Sequence, residues 1–236
     1  MRLLVFIVIF LSITGWGPFS SLTSASSTLS TLKTKDWLAQ EVKLINAQAD
    51  NLNPEVLKLG LIAFLNAHQK GFDNKQLLTI VDYSKPSSER RLWVIDLKQA
   101  KVLFNTWVTH GKNSGELNAT SFSNRSNSLK SSLGVFVTTA EAYTGQEGYS
   151  LRMIGLEPGI NDNAYRRSVV VHGATYANPD VVKTYGMLGR SWGCLAVSDK
   201  LIKPLIETIK NNTLIIAYYP DATWLKKSSF LHTQFI

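Results

Sequence analysis

The spacing of hydrophobic positions changes along the chain, from a helical period near the N-terminus to a strand period after about residue 75. Between residues 36 and 71 the apolar side chains recur every three or four positions, which predicts two helices. The second helix has clear end signals: Asn53 as N-cap, Pro54 at the first helical position and Gly71 after the last turn. This segment therefore predicts a helical hairpin that packs one face against the rest of the chain.

From Leu77 onward the hydrophobic residues fall in short runs that are rich in β-branched and aromatic side chains. Six runs predict strands: LLTIVDYS, RLWVIDL, KVLFNTWVTHG, GVFVTTAEAY, RRSVVVHG and TLIIAYYP. The segment SDKLIKPLIETIKNN predicts a single late helix, with Ser198 at its start and Asp199 in its first turn. The expected fold is mostly β, with an N-terminal helical hairpin and one late helix.

A stretch between the third and fourth predicted strands, KNSGELNATSFSNRSNSLKSSLG, contains many serine and asparagine residues and few large apolar ones. This composition predicts a long surface loop. Loops of this length inside a domain are usually functional or disordered, and this one could border a cleft.

The first residues have the architecture of an export signal. Arg2 precedes an apolar run, residues 3–13, that is too short to span the hydrocarbon core of a bilayer. Thr23 and Ala25 then supply the small side chains that a signal peptidase requires, so cleavage is expected after Ala25. An uncleaved N-terminal anchor is the alternative. With cleavage, the protein is exported to the periplasm or cell envelope and has no stable insertion in the membrane.

The chain is moderately basic, with 25 lysine and arginine residues against 17 aspartate and glutamate residues and a formal net charge of +8. The basic residues are scattered and no nucleic-acid-binding motif is present, so no nucleic-acid partner is expected. Two interpretations of the charge remain open. It keeps the protein soluble, or it attracts an anionic polymer such as an acidic cell wall.

Cys194 is the only cysteine in the sequence and lies in the segment GRSWGCLAVS. One cysteine cannot close an intramolecular disulfide, so it is a buried inert side chain, an intermolecular linker or a working thiol. A working thiol needs a group that takes its proton, and a nearby neutral imidazole is the usual one. The pKa of such a thiol is expected to lie below the value of about 8.5 for a free cysteine.

Four histidines are candidates for that base: His68, His110, His172 and His232. His68 falls in the second predicted helix and His232 near the C-terminus, where no strand end would aim them into a cleft. His110 and His172 each end a predicted strand and precede a glycine, a position from which a side chain can project into a cleft. His172 is the better candidate, because the buried run VVV before it would hold the imidazole rigidly.

Gly193 precedes the cysteine and permits a backbone conformation in which successive amides point into one concavity. The N–H groups of Trp192, Gly193 and Cys194 are therefore candidates for an oxyanion hole, which stabilises the negative oxygen formed during acyl transfer. The alternative is an ordinary turn glycine beside a small buried cysteine. The histidines have no ligand-like spacing with carboxylates or with Cys194, so neither a metal nor another cofactor is expected.

The segments VVVHG and GRSWGC together resemble the signature of the L,D-transpeptidases, bacterial wall enzymes with a histidine, a spacer and a Ser/Thr-X-Gly-Cys motif. With GYSLRMIGLEPGINDNAYRRSVVVHGATY included, the chain is similar to the murein L,D-transpeptidase catalytic domain family, in which tryptophan precedes Gly-Cys. The resemblance covers about residues 75–219 and is strongest in residues 134–198. It implies an L,D-transpeptidase-like β-sandwich or mixed sheet.

The resemblance also implies roles for individual residues. Cys194 resembles the acylated nucleophile, His172 its base, and the Gly173 carbonyl the group that holds the second imidazole nitrogen. Trp192 and Gly193 would supply the oxyanion hole. Trp192 stands where most L,D-transpeptidases have histidine, which is compatible with a role for its amide alone.

Substrate binding is less sharply implied by the resemblance. Ser191 would brace the motif loop. Ser191 and Tyr176 would both contact the substrate. The arginine that commonly follows the motif cysteine is absent, so another arginine is expected to bind the substrate carboxylate, although each candidate could equally be a structural charge. The three candidates are Arg190, Arg167 and Arg152.

The implied function is that of an exported cysteine acyltransferase acting on peptidoglycan stem peptides. It would attack the bond between the L-centre of a diaminopimelate-type residue and the following D-alanine, release D-alanine, and transfer the acyl group from Cys194 to an amine. The alternatives are an L,D-carboxypeptidase or cysteine amidase, which hydrolyses peptidoglycan, and a non-catalytic wall-binding module. The protein is expected to be a monomer.

These features divide the chain into four parts. They are a signal peptide at residues 1–25, a helical annex at 26–74, an L,D-transpeptidase-like catalytic domain at 75–220 and a C-terminal tail at 221–236. After removal of the signal peptide about 210 residues remain, which is enough to bury a self-sufficient core without disulfides.

Overall fold

Two helices lead into a long mixed sheet. The computed structural model of the chain describes residues 35–49 and 51–232, so the expected signal peptide at residues 1–25 lies outside the described residues. The helices are α1 (Lys35–Asn46), α2 (Pro54–Gln69), α3 (Pro179–Tyr185), α4 (Ile202–Ile209) and α5 (Ala222–Lys227). The strands are β1 (Leu77–Asp82), β2 (Leu92–Asp96), β3 (Lys101–Thr106), β4 (Gly134–Thr138), β5 (Tyr143–Gly145), β6 (Gly148–Gly155), β7 (Val170–Ala174), β8 (Leu195–Ser198) and β9 (Leu214–Tyr218).

Within the described residues, nine strands form one sheet in the order β3-β2-β1-β9-β4-β6-β7-β8, with β5 paired to β6 outside this row. The pairs β1 with β9 and β7 with β8 are parallel, and the other neighbours in this sheet are antiparallel. The expected fold class is confirmed: the fold is a mostly β mixed sheet with an N-terminal helical pair.

Two of the central strands are buried along their whole length. Every residue of β1 and of β4 is buried, in agreement with their nearly continuous apolar sequences LLTIVD and GVFVT. Helix α2 contacts β1 and β9 and so covers part of the sheet. Gly60 allows the helix to approach closely, because a Cβ atom at this position would lie 2.9 Å from Ile80 Cδ1.

Helix α2 begins as its sequence predicts. The Asn53 Oδ1 atom accepts a hydrogen bond of 2.8 Å from the Glu55 amide, and Pro54 occupies the first helical position. Its buried face includes Leu57, Leu61 and Phe64, which belong to the main hydrophobic core. No helix in the described part of the chain is long and apolar enough to span a membrane.

The serine-rich stretch before β4 is packed rather than a free surface loop, which corrects part of the sequence expectation. Ser114, Ser131 and Ser132 are buried. The Ser131 Oγ atom accepts from the Gly111 amide at 3.0 Å, and Ser114 Oγ accepts from the Ser131 amide at 2.9 Å. Short hydroxyl side chains thus satisfy backbone groups that would otherwise be buried without partners. Leu133 and Phe122 also anchor the segment to the hydrophobic core.

Several short elements were not predicted from the sequence. They are the strands β5, β6 and β8 and the helices α3 and α5. Strand β8 has four residues, LAVS, too few to show a period. Strand β6 begins and ends at glycine and mixes polar and apolar residues, which obscured its alternation. Tertiary pairing with β7 stabilises both strands despite these weak local signals.

The C-terminal segment packs against the sheet domain. Asp221 caps α5 by accepting a 2.7 Å hydrogen bond from the Trp224 amide. The buried Trp224 indole donates to both carboxylate oxygens of Glu157, at 3.1 and 3.2 Å. Glu157 also accepts from the Val135 amide at 2.7 Å, so one carboxylate joins α5, β4 and the segment after β6.

Candidate active site

The parallel pairing of β7 and β8 brings His172 and Cys194 to one cavity. The register places Val171 opposite Leu195, so Cys194, which immediately precedes β8, lies beside Val170. The Val170 amide makes a hydrogen bond to the Cys194 sulfur. Because side chains alternate along a strand, Val170 and His172 face the same side. Both line the cavity together with Cys194.

The cavity has a volume of about 530 Å³ and is lined by aromatic, basic and small residues. Every residue that the resemblance assigned to the site lines it except Gly173 and Gly193. The lining residues are Tyr143, Gln146, Glu147, Arg152, Arg167, Ser168, Val170, His172, Tyr176, Arg190, Ser191, Trp192 and Cys194.

The tautomer of His172 follows from its hydrogen bond. Its side chain is only 2% exposed, and the Nδ1 atom lies 3.0 Å from the carbonyl oxygen of Gly173. A carbonyl only accepts, so Nδ1 must carry the hydrogen in the neutral ring. The other nitrogen, Nε2, is then the acceptor and can take a proton from a nearby thiol.

Glu147 is a neighbour of His172 that the sequence analysis missed. It lies in the two-residue turn between β5 and β6, where Gly145 pairs with Gly148. Its Oε2 atom is 3.8 Å from His172 Nδ1, and its side chain is 53% exposed. No local signal pointed to Glu147, because the hairpin was not predicted and the contact depends on the pairing of Ser150 with His172.

Ser168 is a second residue that the sequence analysis missed. Its carbonyl oxygen lies 3.7 Å from the Cys194 sulfur and accepts the thiol hydrogen. The residue has a positive φ of 55°, which is uncommon for a residue other than glycine and is most often found at turns or strained sites.

Burial raises the pKa of the Cys194 thiol above its ordinary value, which is opposite to the sequence expectation of a lowered pKa. The negative charge of Glu147 raises this pKa further, whereas the Val170 N–H and the Arg167 guanidinium lower it. The opposing groups are weaker than the loss of hydration on burial. Burial thus favours the protonated thiol over the thiolate.

Ser191 braces the motif loop with both its side chain and its backbone. Its Oγ atom donates to the Cys194 carbonyl at 2.7 Å and accepts from the Gly193 amide at 3.2 Å. Its amide donates to the His110 carbonyl at 3.0 Å, and its own carbonyl accepts from the Lys112 amide at 2.7 Å. These bonds tie Cys194 to the segment after β3 that contains His110.

The Gly193 amide does not match its expected place in an oxyanion hole, because it donates to Ser191 Oγ instead of facing an empty position. The glycine itself is required for another reason. Its φ of 119° lies in the region that favours glycine, and a Cβ atom would lie 2.7 Å from the Lys130 carbonyl oxygen. The amides of Trp192 and Cys194 remain as candidates for the hole.

Arg167 and Arg190 are both engaged within the protein. Arg167 donates from Nη1 to the Ser123 carbonyl at 2.6 Å, and from Nη2 to the Lys130 carbonyl at 2.7 Å and to Ser128 Oγ at 3.1 Å. Arg190 forms an ion pair of 2.9 Å with Glu116 and donates to the Gly115 and Lys112 carbonyls at 3.2 and 3.3 Å.

Arg152 is held differently, by aromatic rings. Its guanidinium lies 4.8 Å from the centroid of the Tyr143 ring and 5.2 Å from that of Tyr165. Neither Tyr143 nor Tyr165 was identified from the sequence, because their contacts with Arg152 depend on the fold.

Tyr176 and Trp192 contribute to the wall and the rim of the cavity. Burial, with smaller effects of Glu147 and Cys194, raises the pKa of Tyr176 to about 12, so its hydroxyl stays protonated and able to donate. The Trp192 side chain is 74% exposed, and its indole lies at the mouth of the cavity.

The other histidines do not line the cavity. His110 is buried and accepts at Nδ1 a 2.8 Å hydrogen bond from Arg91 Nη2, so its Nε2 carries the hydrogen and donates to the Gly115 carbonyl at 3.2 Å. His68 pairs with Asp73 at 3.1 Å. His232 Nε2 lies 3.3 Å from the Lys226 carbonyl. Among the residues that the structure describes, no group of three or more histidine, cysteine, aspartate or glutamate side chains could hold a metal ion.

A sequence model of the L,D-transpeptidase catalytic domain matches residues 48–218, which is most of the chain and includes α2, His172 and Cys194. The chain belongs to the L,D-transpeptidase catalytic domain family. The resemblance in the segments VVVHG and GRSWGC is thereby confirmed. A comparison with curated proteins found no match.

Several solved L,D-transpeptidase structures are similar to this family member at low sequence identity. The enzyme from Mycobacterium smegmatis is 16% identical with a TM-score of 0.36, over 61% of this chain and 59% of that chain. L,D-transpeptidase 1 from Mycobacterium tuberculosis is 14% identical with a TM-score of 0.35, over 61% and 62%. The structure from Xylanimonas cellulosilytica is 13% identical with a TM-score of 0.36, over 79% and 94%. The match thus spans about 60% of the mycobacterial chains, and the family assignment rests on the sequence match.

Proposed function

We propose that the protein is an exported L,D-transpeptidase, a cysteine acyltransferase that acts on peptidoglycan stem peptides. The observation that carries the proposal is the placement of Cys194 and His172 in one cavity, with His172 Nδ1 held by the Gly173 carbonyl and Nε2 left as a proton acceptor. Membership in the L,D-transpeptidase catalytic domain family supports the same reaction. The apolar run at residues 3–13 supports export.

The first half-reaction begins with a protonated thiol. As the Cys194 sulfur attacks the carbonyl carbon between the L-centre and D-alanine, its proton passes to His172 Nε2. The carbonyl oxygen becomes negative and accepts hydrogen bonds from the amides of Trp192 and Cys194. The carbon–nitrogen bond then breaks, His172 returns the proton to the departing amine, and a thioester remains on Cys194.

The second half-reaction repeats these steps in reverse order. An acceptor amine attacks the thioester carbonyl and gives a proton to His172 Nε2. The carbon–sulfur bond breaks, the new amide is released, and the proton returns to the thiolate of Cys194. Glu147, at 3.8 Å from Nδ1, stabilises the positive imidazole ring that exists between the two proton transfers.

The test uses the purified protein with a tetrapeptide stem fragment and an amine acceptor, and mass spectrometry of the products and of the intact protein. Wild-type protein should release D-alanine and carry a thioester adduct, which can only lie on Cys194 because the chain has no other cysteine. Cys194→Ala should abolish both. His172→Ala should lower turnover by about 10²- to 10⁴-fold.

His232→Ala is the matched control for His172→Ala. His232 is exposed and lies outside the cavity, and its ring lies 3.3 Å from the Lys226 carbonyl, so its loss should leave turnover unchanged. Wild-type D-alanine release by Cys194→Ala would contradict the proposal. Release without any transfer to amines would identify a hydrolase in place of a transpeptidase.

A further inference from the structure

Three arginines line the cavity, and their hydrogen bonds distinguish them. Arg167 donates hydrogen bonds to the carbonyls of Ser123 and Lys130 and to nearby serine hydroxyls. Arg190 forms an ion pair with Glu116. In the described part of the chain, the guanidinium of Arg152 makes no hydrogen bond and no ion pair. Of the three, it is therefore the arginine whose donors are all available to a ligand, whereas Arg190 already uses Nη1 for its ion pair and its carbonyl contacts.

The aromatic neighbours of Arg152 hold it without using its donors. Its guanidinium lies 4.8 Å from the Tyr143 ring centroid and 5.2 Å from the Tyr165 ring centroid. Such contacts involve the face of the aromatic ring and attract the cation, while the N–H groups of a guanidinium lie in its own plane. The rings therefore restrict the side chain and leave its donors free to form a paired hydrogen bond with a carboxylate.

The position of Arg152 in the sheet places it near the reacting sulfur. Arg152 is paired with Val170 across β6 and β7, and the Val170 amide is hydrogen-bonded to the Cys194 sulfur. Glu147 lies beside His172 instead, in the turn that precedes β6. The free cation and the carboxylate thus lie toward the Cys194 side and the His172 side of the cavity, respectively.

We propose that Arg152, held by Tyr143 and Tyr165, binds the free α-carboxylate of the residue that leaves in the first half-reaction. This inference rests on the proposed function, because it assigns the ligand by the bond that Cys194 attacks. In a stem that ends one residue after the scissile bond, this carboxylate is the anion nearest the attacked carbonyl. Binding at Arg152 selects peptides with a free C-terminal acid and positions their last amide bond against the sulfur.

The experiment compares two tetrapeptide stems that differ only at the C-terminus, one a free acid and the other an amide. Wild-type protein should prefer the acid in kcat/KM, and Arg152→Gln should lower kcat/KM for the acid by about 10- to 100-fold, as expected for loss of a charged hydrogen-bonded pair. It should leave kcat/KM for the amide nearly unchanged. Arg152→Lys should restore part of the preference, since it keeps the charge without the paired donors.

Arg125→Gln is the matched control, because Arg125 is exposed and lies outside the cavity. It removes the same charge from the protein and should leave the acid-to-amide ratio at its wild-type value. An unchanged ratio in Arg152→Gln would overturn the assignment of the carboxylate site even though the protein remains an active acyltransferase.

If the wild-type protein turns over neither peptide, the proposed function fails. Alkylation of Cys194 then tests separately whether Arg152 attracts an anion to the cavity. The lone thiol is alkylated by iodoacetate, which is an anion, and by iodoacetamide, which is neutral, at one pH. A cation available to ligands near Cys194 should raise the iodoacetate-to-iodoacetamide rate ratio, and Arg152→Gln should lower it severalfold relative to Arg125→Gln. Equal ratios in these two variants would overturn the site.

Discussion

At the scale of single residues, Glu147 affects both partners of the proposed proton transfer, in opposite senses. Its charge opposes formation of a thiolate at Cys194, where it raises the pKa. The same carboxylate faces His172, on which the proposed mechanism places a transient positive charge, with Oε2 3.8 Å from Nδ1. A carboxylate here therefore suits a mechanism in which the thiol stays protonated until substrate is bound.

Glu147→Gln should separate these two effects. Removing the negative charge lowers the pKa of the Cys194 thiol, so the rate of alkylation by iodoacetamide should rise at a lower pH than in the wild-type protein. Turnover of a tetrapeptide stem should fall, since the protonated ring loses its neighbouring charge. Alkylation rates across pH and steady-state kinetics on the same preparations measure both quantities.

Glu116→Gln is a suitable control for this experiment, because Glu116 is an exposed carboxylate that pairs with Arg190 and does not line the cavity. Its alkylation profile should match that of the wild-type protein. A Glu147→Gln profile that shifts to higher pH would contradict the assignment of Glu147 as a group that opposes the thiolate.

At the scale of elements, the serine-rich segment before β4 forms one wall of the motif loop. The carbonyl of Lys130 lies against Gly193, where a Cβ atom would be only 2.7 Å away. Arg167 holds this segment by donating to the Ser123 and Lys130 carbonyls. A residue that was a candidate ligand for substrate thus serves to order the backbone beside Cys194.

Arg167→Gln should loosen this segment. Losing the charged hydrogen bonds to several buried or half-buried acceptors should cost about 1.5–3 kcal/mol of the free energy of unfolding. Hydrogen exchange in residues 121–132 should become faster, and the melting temperature should fall. Arg166→Gln tests the neighbouring exposed arginine, which donates only to Asn163 Oδ1, and should change neither measurement. Unchanged exchange in Arg167→Gln would show that the segment is held by its serine hydrogen bonds alone.

At the scale of the whole molecule, buried polar groups join the sheet to the segments around it. Arg91 is fully buried and donates to the Val108 and Lys85 carbonyls and to His110. Elsewhere in the sheet, Glu157 joins β4 to α5 because it accepts hydrogen bonds from the Val135 amide and the Trp224 indole. Buried groups of this kind stabilise the fold only while every donor and acceptor is satisfied.

His110 makes the stability of the whole molecule depend on pH. Burial, followed by the charge of Arg91, lowers the pKa of His110 from 6.5 to about 4. The unfolded chain therefore binds a proton between these values while the folded protein does not, so stability falls as the pH drops through this range. The loss should approach roughly 3 kcal/mol below pH 4.

Denaturant unfolding between pH 7 and pH 4 measures this loss, and His110→Gln should flatten the curve by the same amount while lowering stability at neutral pH. His232→Gln should keep the wild-type slope, because His232 is exposed near the C-terminus. A wild-type slope in His110→Gln would mean that other groups, and not His110, take up the proton on unfolding.

The prediction of the fold was successful where the local signal was strong. Helix α2 has an N-cap, a proline at its first position and a long apolar face, and β1, β4 and β9 are continuous apolar runs, so each could be identified from neighbouring residues. The four residues of β8 and the mixed polar and apolar sequence of β6 carry no such signal. Their structure comes from pairing with β7, which depends on residues distant in the chain.

The sequence by itself determined the fold class, the family and the choice of Cys194 and His172 as candidate nucleophile and base, because these depend on residue type and on short motifs. Only the tertiary structure decided which arginine makes no hydrogen bond or ion pair among the described residues, since the partners of Arg167 and Arg190 lie 35 to 78 residues away. It also decided that Glu147 lies beside His172 and that burial raises the pKa of Cys194. Hydration and hydrogen-bond partners are properties of a folded surface, and no local pattern in a sequence contains them.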